Sequence, residues 1–355
     1  MNRFELALSA ICTIAVASCH SAAPVPASLT PVLTAQQSGV TVRFQAISVI
    51  NEHVVWVSGT HGTWALTEDG GAHWRSAMVP GADSLEFRDV QGVDARSAYL
   101  MSSGTGSVSR IYKTTDGGAN WALQFTTPEP KGFFDCLAFW DATHGVVVSD
   151  AVDGRLPIYR TTDGVQWTPV PTAGVPAALP NEGGFAASGT CVIARGATEG
   201  WFGTGAGERA RILHTTDRGL TWSVSESPMV QGAATKGITS IAFQDALHGM
   251  IVGGDVNDAK LHSDNVAVTA DGGKNWTLAG RPRMAGALFG AVYVPGLRGV
   301  AVAVGPAGAD FTQDDGKSWQ SLDTLSYWSA GFASANAGWL VGPGGRIVKV
   351  GMRGG

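Results

Sequence analysis

Charge is scarce in this sequence. Asp, Glu, Lys and Arg make up only 15% of its 355 residues, and the net charge is -5. A surface that follows phosphates needs a cationic excess, so nucleic acid is excluded as a partner. Long apolar runs are missing too: beyond the N-terminus none reaches the ~18–20 residues of a membrane helix. Only four cysteines occur, Cys12, Cys19, Cys136 and Cys191, with no Cys-x-x-Cys-His haem site or Cys-rich cluster. His-Glu-x-x-His and Gly-x-Ser-x-Gly are absent, which removes the zinc-hydrolase and nucleophile-elbow chemistries. GTGAG (203–207) has the glycines of a dinucleotide loop, yet a strand pattern follows it where a phosphate-binding helix would be needed. No cofactor and no resident metal are expected.

What is abundant points one way. Hydrophobic residues reach 44%, with 48 Gly and 12 Trp, a composition suited to short strands joined by tight turns. Six segments match Ser/Thr-x-Asp-x-Gly-x-x-Trp or a near variant: TEDGGAHW (67–74), TTDGGANW (114–121), TTDGVQW (161–167), TTDRGLTW (215–222), TADGGKNW (269–276) and TQDDGKSW (312–319). The third is one residue short. Their aspartates, Asp69, Asp116, Asp163, Asp217, Asp271 and Asp314, lie 43 to 54 residues apart, the length of a propeller blade. Each motif residue has a mechanical task. Asp and Thr oxygens accept backbone amides of the turn, Gly supplies a positive φ, and Trp packs beneath. These aspartates are therefore read as structural.

Before each motif come two strands joined by a turn, as in CLAFWDATHGVVVSD (136–150) and SIAFQDALHGMIVGG (240–254), and then a third strand such as RILHT (211–215). The seventh unit, SAGFASANAGWLVGPGGRIVKV (329–350), has three strands and no motif after them. TPVLTAQQSG (30–39) stands where its fourth strand should be. The expected architecture is all-β: a single seven-bladed β-propeller of four-stranded antiparallel blades over 29–351, closed by an N-terminal strand that completes the last blade.

These motifs resemble the Asp-box (BNR-repeat), sialidase-like β-propellers of the Ycf48-like branch. FFDCLAFWDATHG (133–145), SDAVDG (149–154) and PNEGGFAASGTC (180–191) are similar to secreted bacterial members often loosely labelled oxidoreductases. The resemblance implies a binding or assembly scaffold without enzymatic activity. Sialidase chemistry is not supported by the residues: the early segment VRFQAI (42–47) stands in place of Arg-Ile-Pro, and no arginine triad or Tyr/Glu nucleophile pair assembles.

The N-terminus reads as an export signal over 1–18. Arg3 precedes an apolar stretch from Leu6 to Ala17, and Val16-Ala17-Ser18-Cys19 resembles a lipoprotein cleavage site, with Cys19 as the acylated residue. Residues 19–28 read as a tether, and His20 after the cysteine favours an outer-membrane destination over the inner membrane. The membrane is then met through the lipid alone. A plain secretory signal is the alternative.

In a propeller the loop leading into each inner strand and the loop between strands two and three share a face, and function sits on elaborated loops. Candidate binding residues there are Asp135, Asp150, Asp153, Glu182, Arg209, Arg211, Lys236, Asp255, Arg283 and Trp328. Four acids, Asp135, Asp150, Asp153 and Glu182, would converge near the channel mouth to take a divalent cation or a basic partner; capping of their own loop is the plainer account of Asp150 and Asp153. The expected partner is an envelope protein or a glycan, bound by a monomer. In the enzymatic alternative Asp135 and Glu182 are a glycosidase acid pair in an open cleft. Cys136 and Cys191 stand at one repeat position in adjacent blades, nine residues before Gly145 and Gly200. That suits a disulfide, with two buried thiols as the alternative. Ala46, Ser240, Gly290 and Ser329 occupy the same position elsewhere, as in a narrow channel wall.

Overall fold

The computed structural model describes residues 29–354; the expected export signal, Cys19 and the expected tether lie outside the described residues. Seven four-stranded antiparallel sheets follow one another around an axis. The inner strands are Phe44–Val49, Phe87–Gly92, Phe134–Phe139, Val192–Arg195, Lys236–Phe243, Gly290–Tyr293 and Ser329–Ser334. Middle strands such as Val55–Gly59, Thr63–Thr67 and Gly145–Ser149 are buried at every residue. Burial on both faces between neighbouring blades removes the alternation a one-sided sheet would show.

Ring closure follows the expected route. Leu29–Gln36 is the outermost strand of the seventh blade and pairs with Arg346–Gly354, in the order first strand, last strand, Ala337–Gly342, Ser329–Ser334. The last strand runs past the expected limit at residue 351. Apart from the eight-residue Leu29–Gln36, the outer edges are short, two of them reduced to Thr168–Pro169 and Thr277–Leu278.

The six Thr-x-Asp turns explain their residues. In the first, Thr67 Oγ1 accepts the Gly71 N–H (2.8 Å) and donates to Asp69 Oδ1 (2.9 Å), which also accepts the His73 N–H (2.9 Å). The same set recurs at Thr114, Thr215, Thr269 and Thr312. In the shortened third turn Thr161 takes the N–H of Gly164, three residues on, at 2.9 Å. Trp222, Trp276 and Trp319 each donate their indole N–H to a glycine carbonyl of their own turn. These bonds hold the turn carboxylates ionised: the Asn120 side chain and N–H keep Asp116 down to about 2, and Asn275 does the same for Asp271.

Strand direction alternates, so the lead-in loops and the loops between strands two and three lie on one face, the loop face. The Thr-x-Asp turns lie on the other, the turn face.

Candidate functional site

The loop leading into the fourth blade departs from the others. After the short strand Thr168–Pro169 the chain takes some twenty irregular residues before Val192–Arg195, and residues 183–189 enter the axial channel. Their contacts reach five other blades. Arg88 Nη1 of blade two donates to Ala186 O (3.2 Å), and Ser329 Oγ of blade seven donates to Ser188 O (3.0 Å). Gly184 N–H donates to Asp135 Oδ2 of blade three (3.2 Å). A hydroxyl chain runs from Ser188 through Thr190 to Ser240 of blade five (2.6 and 2.7 Å), and Ser240 Oγ accepts the Ala291 N–H of blade six (3.0 Å). The segment is a plug across the axis.

Small residues are required for that course. A Cβ on Gly184 would stand 2.8 Å from the Asp135 side chain, and one on Gly189 would stand 2.7 Å from the Asp89 carboxylate. Both ends of the plug are fixed. At its start the Glu182 carboxylate, fully buried, meets the Arg211 guanidinium: Nε donates to Oε1 (2.9 Å) and Nη2 to Oε2 (2.5 Å). Thr204 Oγ1 and the Leu179 N–H complete its shell, each at 2.8 Å. At the other end Cys191 is disulfide-bonded to Cys136, with Cα atoms 5.8 Å apart. Both sulfur residues have no exposed surface.

Most of the candidate residues are elsewhere than expected. The four acids do not converge in an open mouth. Glu182 and Arg211 are consumed by each other beneath the surface, where burial of one charge demands the other. Asp135 is buried against the plug, and its carboxyl is pushed well above the usual range by burial and then by Asp150. Burial also raises Asp150, to about 6, against the opposing bonds from the Gly184 N–H and Asp135. Two neighbouring acids in a desolvated setting share a proton more readily than they carry two charges. The Gly184 N–H goes to Asp135, and the half-buried Asp150 carboxylate packs against Gly183, where an added Cβ would overlap it. Asp153 faces solvent at φ +50°, with Lys131 at 3.7 Å. An acid pair flanking an open cleft, as glycoside hydrolysis needs, is not formed by Asp135 and Glu182.

The remaining candidates are dispersed. Arg209 pairs with Glu226 at 3.3 Å in solvent. Lys236 and Asp255 are register partners at the loop end of blade five, where Asp255 also accepts the Asn257 N–H (3.1 Å). Arg283 donates to Trp319 O (3.2 Å). Trp328 is the candidate that lies at the axial mouth, directly above the plug.

Around Trp328 the structure assembles residues that sequence reasoning passed over. Phe289 meets its ring edge to face at 5.0 Å, and the Arg43 guanidinium lies 4.6 Å from the ring centroid. Arg43 Nη2 reaches Glu86 Oε1 (3.2 Å), while Arg88 Nε and Nη2 hold Glu86 Oε2 (3.0 and 2.7 Å). Burial alone would raise the Glu86 carboxyl, but the Arg88 and Arg43 charges keep it below the usual value. One carboxylate between two guanidiniums leaves this cluster with one positive charge in excess. A bowl of about 220 Å³ opens here, lined by Arg88, Phe185, Ala187, Val256, Phe289 and Trp328. The plug supplies Phe185 and the alanine floor.

Asp89 was also missed. It is fully buried in the channel wall, accepts the Leu137 N–H (2.7 Å) and the Gln91 side-chain N–H (3.1 Å), and touches the plug at Gly189. Burial pushes its carboxyl up to about 8 against those bonds. It stands nine residues before Ala98, the same position as Cys136 and Cys191, so the wall of small residues has one acid in it.

Comparison with solved structures fits this geometry. A Ycf48 structure described as bound to D1 peptide matches with a TM-score of 0.64 at 20% identity, covering 93% of this chain and 100% of that one. The chain has the Ycf48-like propeller fold. Ycf48 from Cyanidioschyzon merolae gives a TM-score of 0.60 at 16% identity, with 90% and 98% covered. The Pan2 WD40 domain of Neurospora crassa gives 0.60 at 10%, with 87% and 89% covered. No protein-family model matches the sequence, and no curated protein sequence is significantly similar to it.

Proposed function

We propose that this chain is a non-enzymatic binding propeller at the cell envelope, anchored by a lipid on Cys19, that captures a protein segment in the bowl above the plug. The observation that carries this reading is the bowl itself. Aromatic rings and guanidiniums are the residue types that dominate binding energy at protein interfaces, and here they surround a closed axis with no open acid pair beside it. That a Ycf48 propeller has been solved with a bound peptide supports a peptide segment as the occupant.

The test is crosslinking capture from the bacterial envelope with the native chain and with Trp328→Ala and Phe289→Leu. Loss of a buried aromatic anchor costs about 2 kcal/mol or more, roughly thirtyfold in affinity. Capture unchanged in both variants would remove the bowl from the binding surface. A glycan array signal that depends on Trp328 would replace the protein partner with a sugar. Intact mass of the mature protein tests the anchor: an unacylated product would leave a secreted propeller.

A further inference from the structure

The first strand of the chain fixes where any N-terminal anchor must attach. It runs antiparallel to the last strand, with Leu29 opposite Gly354 and Gln36 opposite Ile347. The last strand begins at the loop face, where the Gly345 N–H meets Val42 O (2.6 Å), and descends to the turn face. Leu29 is therefore at the turn face, and its N–H donates to Oε1 of Gln313 (3.1 Å), inside the sixth Thr-x-Asp turn. The bowl of Trp328 and Phe289 opens on the opposite side.

Nine residues separate Cys19 from Leu29. Fully extended, they span at most about 30 Å. The eight-residue first strand alone rises about 26 Å along the blade. Bringing the loop face to the bilayer would spend the whole link on climbing back over the rim. The turn face carries charge of both signs: its six turn carboxylates stand beside Arg75, Lys113 and Lys349, which donate to glycine carbonyls of the turns. Attraction to anionic headgroups is therefore not what turns this face to the bilayer; the short tether is, and surface charges are screened beyond about 8 Å at physiological salt.

We infer that the anchored chain turns its Thr-x-Asp face toward the membrane and presents the bowl to the aqueous side, so that its partner delivers the captured segment from solution and not from the bilayer surface. This orientation rests on the lipid anchor proposed above. The test uses the acylated full-length protein in phosphatidylethanolamine–phosphatidylglycerol vesicles carrying a headgroup energy acceptor. A donor dye is placed on Ala119→Cys, exposed in the second turn, or on Ser84→Cys, exposed at the loop face of the same blade. The native disulfide leaves neither Cys136 nor Cys191 free to react.

Transfer from position 119 should be at least about twofold that from position 84, given the strand rise between the two faces. Raising the phosphatidylglycerol fraction should not increase it. Equal or reversed transfer from an acylated protein overturns the orientation while the anchor stands, and a difference that appears only at a high phosphatidylglycerol fraction overturns the tether as its cause. A mature protein without acyl chains, recovered free of the vesicles, overturns the anchor and the orientation together.

Discussion

Both carboxylate oxygens of Glu182 are held by the guanidinium of Arg211, twenty-nine residues further along the chain and in the same blade. The pair fixes the entrance of the plug, and neither charge has a second route to solvent. Removing one partner leaves the other buried and unpaired. Glu182→Ala should therefore cost about 3–5 kcal/mol of unfolding free energy in denaturant titration. A loss below about 1 kcal/mol would mean that the pair is exposed in solution, as an ordinary surface bridge is.

The bond between Cys136 and Cys191 closes a stretch with a sequence separation of 55. Chain entropy gives such a loop about 4 kcal/mol. The Cys136→Ser, Cys191→Ser double variant should lose stability of that order in guanidinium. The native protein should resist reductant until it unfolds, because both residues have no exposed surface. Rapid reduction of the folded protein, measured by thiol labelling and mass, would contradict that burial.

Buried and exposed acids set opposite limits to the pH range. Burial raises Asp89 to about 8 and Asp150 to about 6, from an ordinary 3.8. A folded state that binds protons more firmly than the unfolded chain is favoured in acid, so the stability these two groups allow is intact below about pH 4 and is lost as pH rises through about 6 to 8. The turn acids act the other way. Asp116 and Asp271 are held near 2, so their contribution is present above about pH 4 and is lost as pH falls toward 2. On these groups thermal stability should thus peak near about pH 4. Asp89→Asn keeps an acceptor for the Leu137 N–H and should flatten the alkaline limb; an unchanged slope from pH 5 to 9 would assign that limb to other groups.

Thr269 serves two partners in its turn, accepting the buried Gly273 N–H and donating to Asp271. Thr269→Val orphans that amide and should cost about 1–3 kcal/mol. Asp271→Asn retains an oxygen for the Asn275 N–H and should cost less. Neither should alter partner capture, because the turn lies on the face opposite the bowl. A capture defect at full stability would move function to the turn face.

The turns were legible because each of their residues does a local job that repeats at blade length. Thr67, Asp69 and Gly71 are specified within five positions, and so are their counterparts. Closure was legible by subtraction: three strands at the end of the chain and one unmatched strand at its start. The plug was not. Gly183 to Gly189 has no strand alternation and no turn signature, and its small side chains are dictated by Asp89 and Asp135, residues remote in sequence. Asp135 and Glu182 read as open-mouth binding acids because nothing local distinguishes an acid that faces a channel from one buried against a plug amide or a guanidinium. Counting nine positions back from each first turn would have found Asp89 beside Cys136. Phe289, Arg43 and Arg88 carry no such mark. They meet Trp328 only because blades one, two, six and seven converge on one axis.

The pairing of Leu29–Gln36 with Arg346–Gly354 also sets an order of events during synthesis. The first strand has its partner 311 to 325 residues further along the chain. Six blades are complete in sequence before that partner exists, so they can form while the first strand waits with both edges open. The ring gains its final sheet only once residues 346–354 have been made. A chain cut short before residue 346 keeps its first strand unpaired, an exposed edge that marks the unfinished copy.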